Sequence, residues 1–135
     1  MSIAAPVDVS AGTPAIELEL NGLQTIEGRC RITLLSSNRL AIDLERLVVE
    51  LVLFDSDRHA IRFMRIALSV LAANRSHVQA FVADELECET IANILLNNVV
   101  ECRLADNDQN DCSEKIRLSS RASAGFIMSF PAASE

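Results

Sequence analysis

From Glu45 to Arg65 the chain reads ERLVVELVLFDSDRHAIRFMR, two apolar runs on either side of the polar cluster Asp55 to His59. In the first run Leu47, Val49, Leu51 and Leu53 fall on one face and Val48, Val52 and Phe54 on the other, with only Glu50 interrupting. A strand apolar on both faces belongs in the middle of a packed β structure. Leu40, Leu44, Leu47, Val48 and Leu51 also fit helical spacing, with Asp43 as a cap. That helix would be apolar nearly all round, and the β-branched content favours the strand. In the second run Ile61, Phe63, Arg65 and Ala67 alternate with Arg62, Met64, Ile66 and Leu68. The segment therefore predicts a hairpin that frames the domain.

The flanking sequence extends this pattern. Residues 1–13 read as a flexible lead. Ile16 to Leu20 alternates strictly, and Asn21-Gly22 is a turn signal. Cys30, Ile32 and Leu34 alternate with Arg29, Arg31 and Thr33 up to Ser36-Ser37-Asn38. After a turn at 72–76, Val78, Ala80 and Val82 predict another strand. Asp84 with Glu87 matches a capping box, and Cys88, Ile91, Ala92 and Leu95 predict a short helical turn. A strand follows from Ile94 to Leu104, with Asn97-Asn98 as a bulge. The loop 105–111 is polar, and Ile116 and Leu118 mark a last clear strand. Phe126, Met128 and Phe130 alternate in a segment, 122–135, that reads as a tail or an edge strand.

Seven to eight short strands with regular turn signals predict an all-β, immunoglobulin-like antiparallel sandwich over residues 14–121. Its expected core is Ile16, Leu18, Ile32, Leu34, Val49, Leu51, Leu53, Phe63, Val78, Val82, Leu96, Val100, Ile116 and Leu118. Trp and Tyr are absent, so that core is aliphatic.

A net charge of −7 with no Lys/Arg cluster argues against nucleic acid or an anionic membrane surface as partner. No apolar run reaches the length of a membrane span. Cys30, Cys88, Cys102 and Cys112 form no close pair of the kind zinc sites use, so they read as disulfides in an oxidising compartment. In an up-and-down ordering, Cys30 and Cys102 sit at opposite poles, while Cys88 follows a strand antiparallel to that of Cys30. The expected pairs are Cys30–Cys88 and Cys102–Cys112. No signal peptide is visible at residues 1–15; the expectation is an exported chain whose leader has been replaced by an initiator Met.

Gly28 through Phe81 resembles the FxLYD-type immunoglobulin-like domains of bacterial exported proteins. The matching pieces are Gly28 opening a strand, the polar turn Ser36 to Asn38, Leu51-Val52-Leu53-Phe54-Asp55, and His77 to Phe81. Leu51 stands for the motif's Phe and Phe54 for its Tyr, while Leu53 and Asp55 match. The whole chain, cysteines included, also resembles small proteobacterial exported proteins that carry a twin-arginine (Tat) signal. That resemblance implies the periplasm.

No catalytic constellation emerges. His59 and His77 are the only histidines, and no G-x-S-x-G, H-E-x-x-H or phosphate loop is present. No cofactor is expected, and the sequence assigns no oligomeric state. The expectation is a non-enzymatic extracytoplasmic binding or scaffolding module with a protein partner, contacted through a sheet edge or the apolar tail residues Phe126, Met128 and Phe130. The alternative is a periplasmic copper site built from His59, Met64 and His77. Against it, Met64 suits an aliphatic core. Asp106, Asp108 and Asp111, with Glu114, lack the glycine and closing Glu of a calcium loop.

Overall fold

The computed structural model describes residues 13–105 and 112–132. Eight strands run in the order β1 (Ile16–Ile26), β2 (Arg29–Asn38), β3 (Leu44–Phe54), β4 (Ala60–Leu68), β5 (Ser76–Ala83), β6 (Asn93–Leu104), β7 (Ile116–Ser120) and β8 (Gly125–Ile127). They form two four-stranded sheets, β5-β2-β1-β7 and β4-β3-β6-β8. The protein is an all-β sandwich. Its helical content among the described residues is two 3-10 turns, Cys88–Thr90 and Cys112–Lys115.

The central hairpin forms as the alternation requires. β3 pairs antiparallel with β4 on one side and β6 on the other. Its face Leu47, Val49, Leu51 and Leu53 is almost wholly buried. It meets Ile16, Leu18 and Leu20 of β1 and Ile32 and Leu34 of β2 in one core cluster. Full burial of each such side chain contributes about 2 kcal/mol.

Two pairings depart from the antiparallel expectation. β7 runs parallel to β1, and β8 parallel to β6. The chain changes sheet between β6 and β7 and again between β7 and β8, so neither strand arrives by a hairpin that would force antiparallel pairing. β7 and β8 touch and close one flank of the sandwich. β4 and β5 border the opposite flank, where Arg62 Nη2 donates to the Asp84 carbonyl at 2.8 Å and Ser69 N–H to Gln79 Oε1 at 2.8 Å.

The first hairpin turns at Glu27, with φ 53°, and Gly28, with φ 78°. Both are left-handed, as a two-residue primed turn demands. Asn21-Gly22 is not a turn: β1 continues through it, and the register slips between Leu20 and Gly22 as a bulge.

Several expected core residues face outward. Phe63, Val78, Val82 and Val100 are exposed. On β4 the inward set is Met64, Ile66 and Leu68; on β5 it is Gln79, Phe81 and Ala83. Both strands carry apolar residues on both faces, and a shift of one residue exchanges the faces completely. On β6, Asn97 and Val100 are each an extra residue opposite β3, so two bulges invert and then restore the phase between Leu96 and Cys102. Leu118 is partly buried.

The cysteines pair as the strand order requires. Cys30–Cys88 ties β2 to the 3-10 turn after β5, with a Cα–Cα separation of 4.9 Å. The same turn is anchored by the Cys88 N–H, which donates to Thr25 Oγ1 of β1 at 2.9 Å. Cys102–Cys112 joins the end of β6 to the turn before β7, with a Cα–Cα separation of 5.2 Å. Two disulfides indicate an oxidising, extracytoplasmic compartment. Among the described residues no helix is long and apolar enough to cross a membrane.

Candidate binding surface

The second sheet carries apolar side chains on its solvent face as well as on its core face. Val52 of β3 lies between Phe63 of β4 and Leu95 of β6, and Leu95 lies beside Ile127 of β8. None of the four belongs to the core cluster, because each is one residue out of phase with the inward set. The result is an apolar row, Phe63–Val52–Leu95–Ile127, running across all four strands. Phe63 is 63% exposed, whereas Val52 in the middle is only 2% exposed, covered by its neighbours. Cross-strand apolar pairs of this kind stabilise a sheet, yet the outermost ring is left to water.

The row continues toward the β3–β4 tip. Phe54, also on the outer face, meets the ring of Phe130 edge-on at 5.0 Å and 84°. The Arg58 guanidinium sits 4.3 Å above the centre of the same Phe130 ring. The quadrupole of Phe130 thus takes a cation on its face while the two rings share a T-shaped contact. At the other end the face turns charged: Arg46 pairs with Glu101 at 2.6 Å, and Arg103 with Glu45 at 3.2 Å and Glu101 at 3.3 Å. Between the two halves Glu50 accepts from Asn97 Nδ2 at 2.9 Å and lies opposite Arg65.

Of the tail residues expected to meet a partner, Phe126 does not: it pairs across from Ile94 and is buried in the core. The short β8 strand gives it that place. Met128 is exposed, and Phe130 lies on the outer face against Phe54.

His59, Met64 and His77 do not converge. Met64 lies five residues beyond His59 along β4. In an extended strand that is roughly 15 Å. Met64 also packs from the inner face against the core. His77 lies seven residues before Asp84, whose carbonyl is held by Arg62. An extended run of that length places His77 roughly 20 Å from that end of β4. Instead His59 groups with Asp55 and Asp57 in the hairpin tip. This is turn chemistry. Asp55 Oδ1 accepts the N–H groups of Asp57 and His59, both at 2.9 Å, and its Oδ2 lies 3.6 Å from His59 Nδ1. The His59 backbone N–H, followed by that of Asp57 and the adjacent imidazole, holds the Asp55 carboxyl below its ordinary pKa; partial desolvation opposes them. Asp106, Asp108 and Asp111 lie outside the described residues, as do residues 1–12 of the expected lead.

The outer face of the first sheet has a shallow groove of about 740 Å³ lined by Glu17, Glu19, Leu35, Arg39, Arg117 and Ser119, among others. Its charges are engaged: Arg39 pairs with Glu17 at 3.4 Å, and Arg117 Nη1 donates to the Glu114 and Ile116 carbonyls at 3.3 Å.

Sequence reading missed the apolar row because its members are scattered along more than half of the chain, from Val52 through Phe63 and Leu95 to Ile127. The available signal was β3 itself, whose second apolar face has to be covered by something.

No protein-family model and no curated protein matches the sequence. In three dimensions the chain is similar to a solved structure of IrmA from Escherichia coli, with a TM-score of 0.58 at 10% identity, over 78% of this chain and 92% of that one. At that identity the likeness concerns the sandwich fold alone.

Proposed function

We propose that the protein is a non-enzymatic binding module of the periplasm, an immunoglobulin-like domain that docks a protein partner on the outer face of its second sheet. The observation that supports this reading is the row Phe63–Val52–Leu95–Ile127, continued by Phe54 and Phe130. An apolar strip spanning a whole sheet and edged by polar groups is the usual composition of a protein contact. The Arg58 and Arg65 side chains beside it favour a partner whose apolar contact is flanked by carboxylates. Phe63 is the natural anchor, being the large exposed aromatic of the row.

The test is capture of partners from periplasmic extract with wild type, Phe63→Asp and Val70→Asp. Val70 is 67% exposed and lies outside the row, in the β4–β5 connection. The expected result is a protein retained by wild type and Val70→Asp and lost with Phe63→Asp. Equal recovery on all three, or none on wild type, removes the reading.

A further inference from the structure

We propose that the edge of β5, unpaired among the described residues, pairs antiparallel with β5 of a second copy of this chain, about a two-fold axis at Ala80. This concerns the first sheet and stands apart from the partner face of the second.

Among the described residues the four sheet edges are β5 and β7 in one sheet and β4 and β8 in the other. Three are blunted in ways that discourage edge-to-edge pairing. β7 has five residues and β8 three. β4 carries Arg62 and Arg65, and its register with β3 breaks near the tip. β5 has no such protection. Its eight residues, SHVQAFVA, contain neither proline nor a formally charged side chain, and they pair with β2 without a bulge.

The backbone direction of that edge follows from one hydrogen bond. Asn38 N–H donates to the Arg75 carbonyl at 2.9 Å one step beyond the last ladder pair, Ser37–Ser76, which sets the phase of the β2–β5 hydrogen bonds. Antiparallel ladders alternate, so His77, Gln79, Phe81 and Ala83 bond to β2. Ser76, Val78, Ala80 and Val82 therefore direct both their N–H and C=O groups away from the sheet.

An axis at Ala80 matches these groups to themselves. Ala80 meets its own counterpart, and each Val78 meets Val82 of the other copy. That gives three hydrogen-bonded pairs with two bonds each, about six bonds in all. Val78 is 57% exposed and Val82 46% exposed. This register stacks the two valines of one copy on those of the other. It also brings Arg75 at one end of β5 toward Asp84 and Glu85 beyond the other end of its counterpart, twice over. Parallel pairing would set like charges together instead. The contact is isologous, so it closes at two copies. An eight-residue edge is smaller than a standard interface of about 1,600 Å², so the dimer is reversible and depends on concentration.

Sedimentation equilibrium over roughly 10 μM to 1 mM, where interfaces of this size associate, tests the proposal. Wild type is compared with Ala80→Pro, Gln79→Pro and Phe63→Asp. Ala80→Pro removes only an outward N–H, a site where an edge strand tolerates proline. It is expected to keep both disulfides and the β-rich circular dichroism while weakening the dimer about tenfold or more. Gln79→Pro removes a bond to β2 and is expected to destabilise the fold itself. Phe63→Asp is expected to dimerise as wild type does, which separates this edge from the partner face. In a second experiment Ala80→Cys is oxidised in air; the facing Cα atoms of such a pair lie about 5.5 Å apart, within reach of a disulfide. A covalent dimer is expected. A wild type that remains monomeric throughout, or an Ala80→Pro variant that is folded and dimerises unchanged, overturns the proposal and leaves the partner face untouched.

Discussion

Asn38 and Leu71 are joined across 33 residues of chain: Asn38 Nδ2 donates to the Leu71 carbonyl at 3.0 Å inside the sandwich. The same Nδ2 reaches the Ile42 carbonyl at 2.9 Å, and Oδ1 accepts the Leu40 N–H at 2.9 Å. One fully buried amide thereby fixes both the β2–β3 crossing and the approach to β5. Replacing it by alanine strands the Leu40 N–H and removes a donor from two carbonyls. Asn38→Ala is expected to lose about 3 kcal/mol or more, at the upper end for orphaned buried groups. Asn38→Asp is expected to be worse near neutral pH, because a carboxylate would face two carbonyl oxygens. Denaturant unfolding with both disulfides intact measures this. A loss within roughly 0.5 kcal/mol, the scatter of a surface substitution, would show that water replaces the amide.

The two disulfides close loops of different length, with sequence separations of 58 and 10. Chain-entropy arguments give about 4 kcal/mol for Cys30–Cys88 and about 3 kcal/mol for Cys102–Cys112. Paired alanine replacements are expected to rank in that order, Cys30→Ala/Cys88→Ala being the less stable. The Cys88 N–H to Thr25 contact adds to the first loss, since the turn that carries it is released. Thermal unfolding of the two variants tests the ranking, and the reverse order would mean that loop length does not govern it.

Asp55 gives the hairpin tip an acid limit. Its folded pKa is depressed, chiefly by the His59 backbone N–H, so the ionised carboxylate is the form the tip prefers. The stabilisation is therefore present above the ordinary carboxylate range and is lost as pH falls through the depressed folded value. The amide signals of Asp57 and His59, both hydrogen-bonded to Asp55 Oδ1, are expected to move together on acidification. In Asp55→Asn that transition should vanish. Its persistence in the variant would assign it to another group.

Strand positions were readable where Ile16 to Leu20 of β1, and β2 and β3, alternate cleanly, with one face apolar or both. Facing was not readable on β4 and β5. Phe63 and Met64 are both apolar, as are Phe81 and Val82, so the pattern fits either phase, and only pairing with β3 and β2 decides it. Val100 escaped for a related reason: a bulge is a property of two strands, and β6 alone does not reveal which residue is the extra one. Asn21-Gly22 carries the stronger hairpin signal by composition, yet Glu27-Gly28 makes the turn. The disulfide pairing needed only the polarity of the strands. The apolar row needed the register of four strands at once, and Phe126 needed β8, a strand of three residues with almost no periodicity to detect.

The parallel pairing of β7 with β1 sets Ile16 beside Ile116, so the first and seventh strands become neighbours only across most of the chain. Contacts that distant close slowly, because the ordering entropy of the intervening chain comes first. A nascent chain emerging from its N-terminus has β1 and β2 ready to form their hairpin early. The outer edge of β1 then waits until Ile116 and its strand have been made or delivered. Completion of the first sheet is therefore a late event, and a chain interrupted before Ile116 would present an open edge to whatever holds unfolded proteins in that compartment.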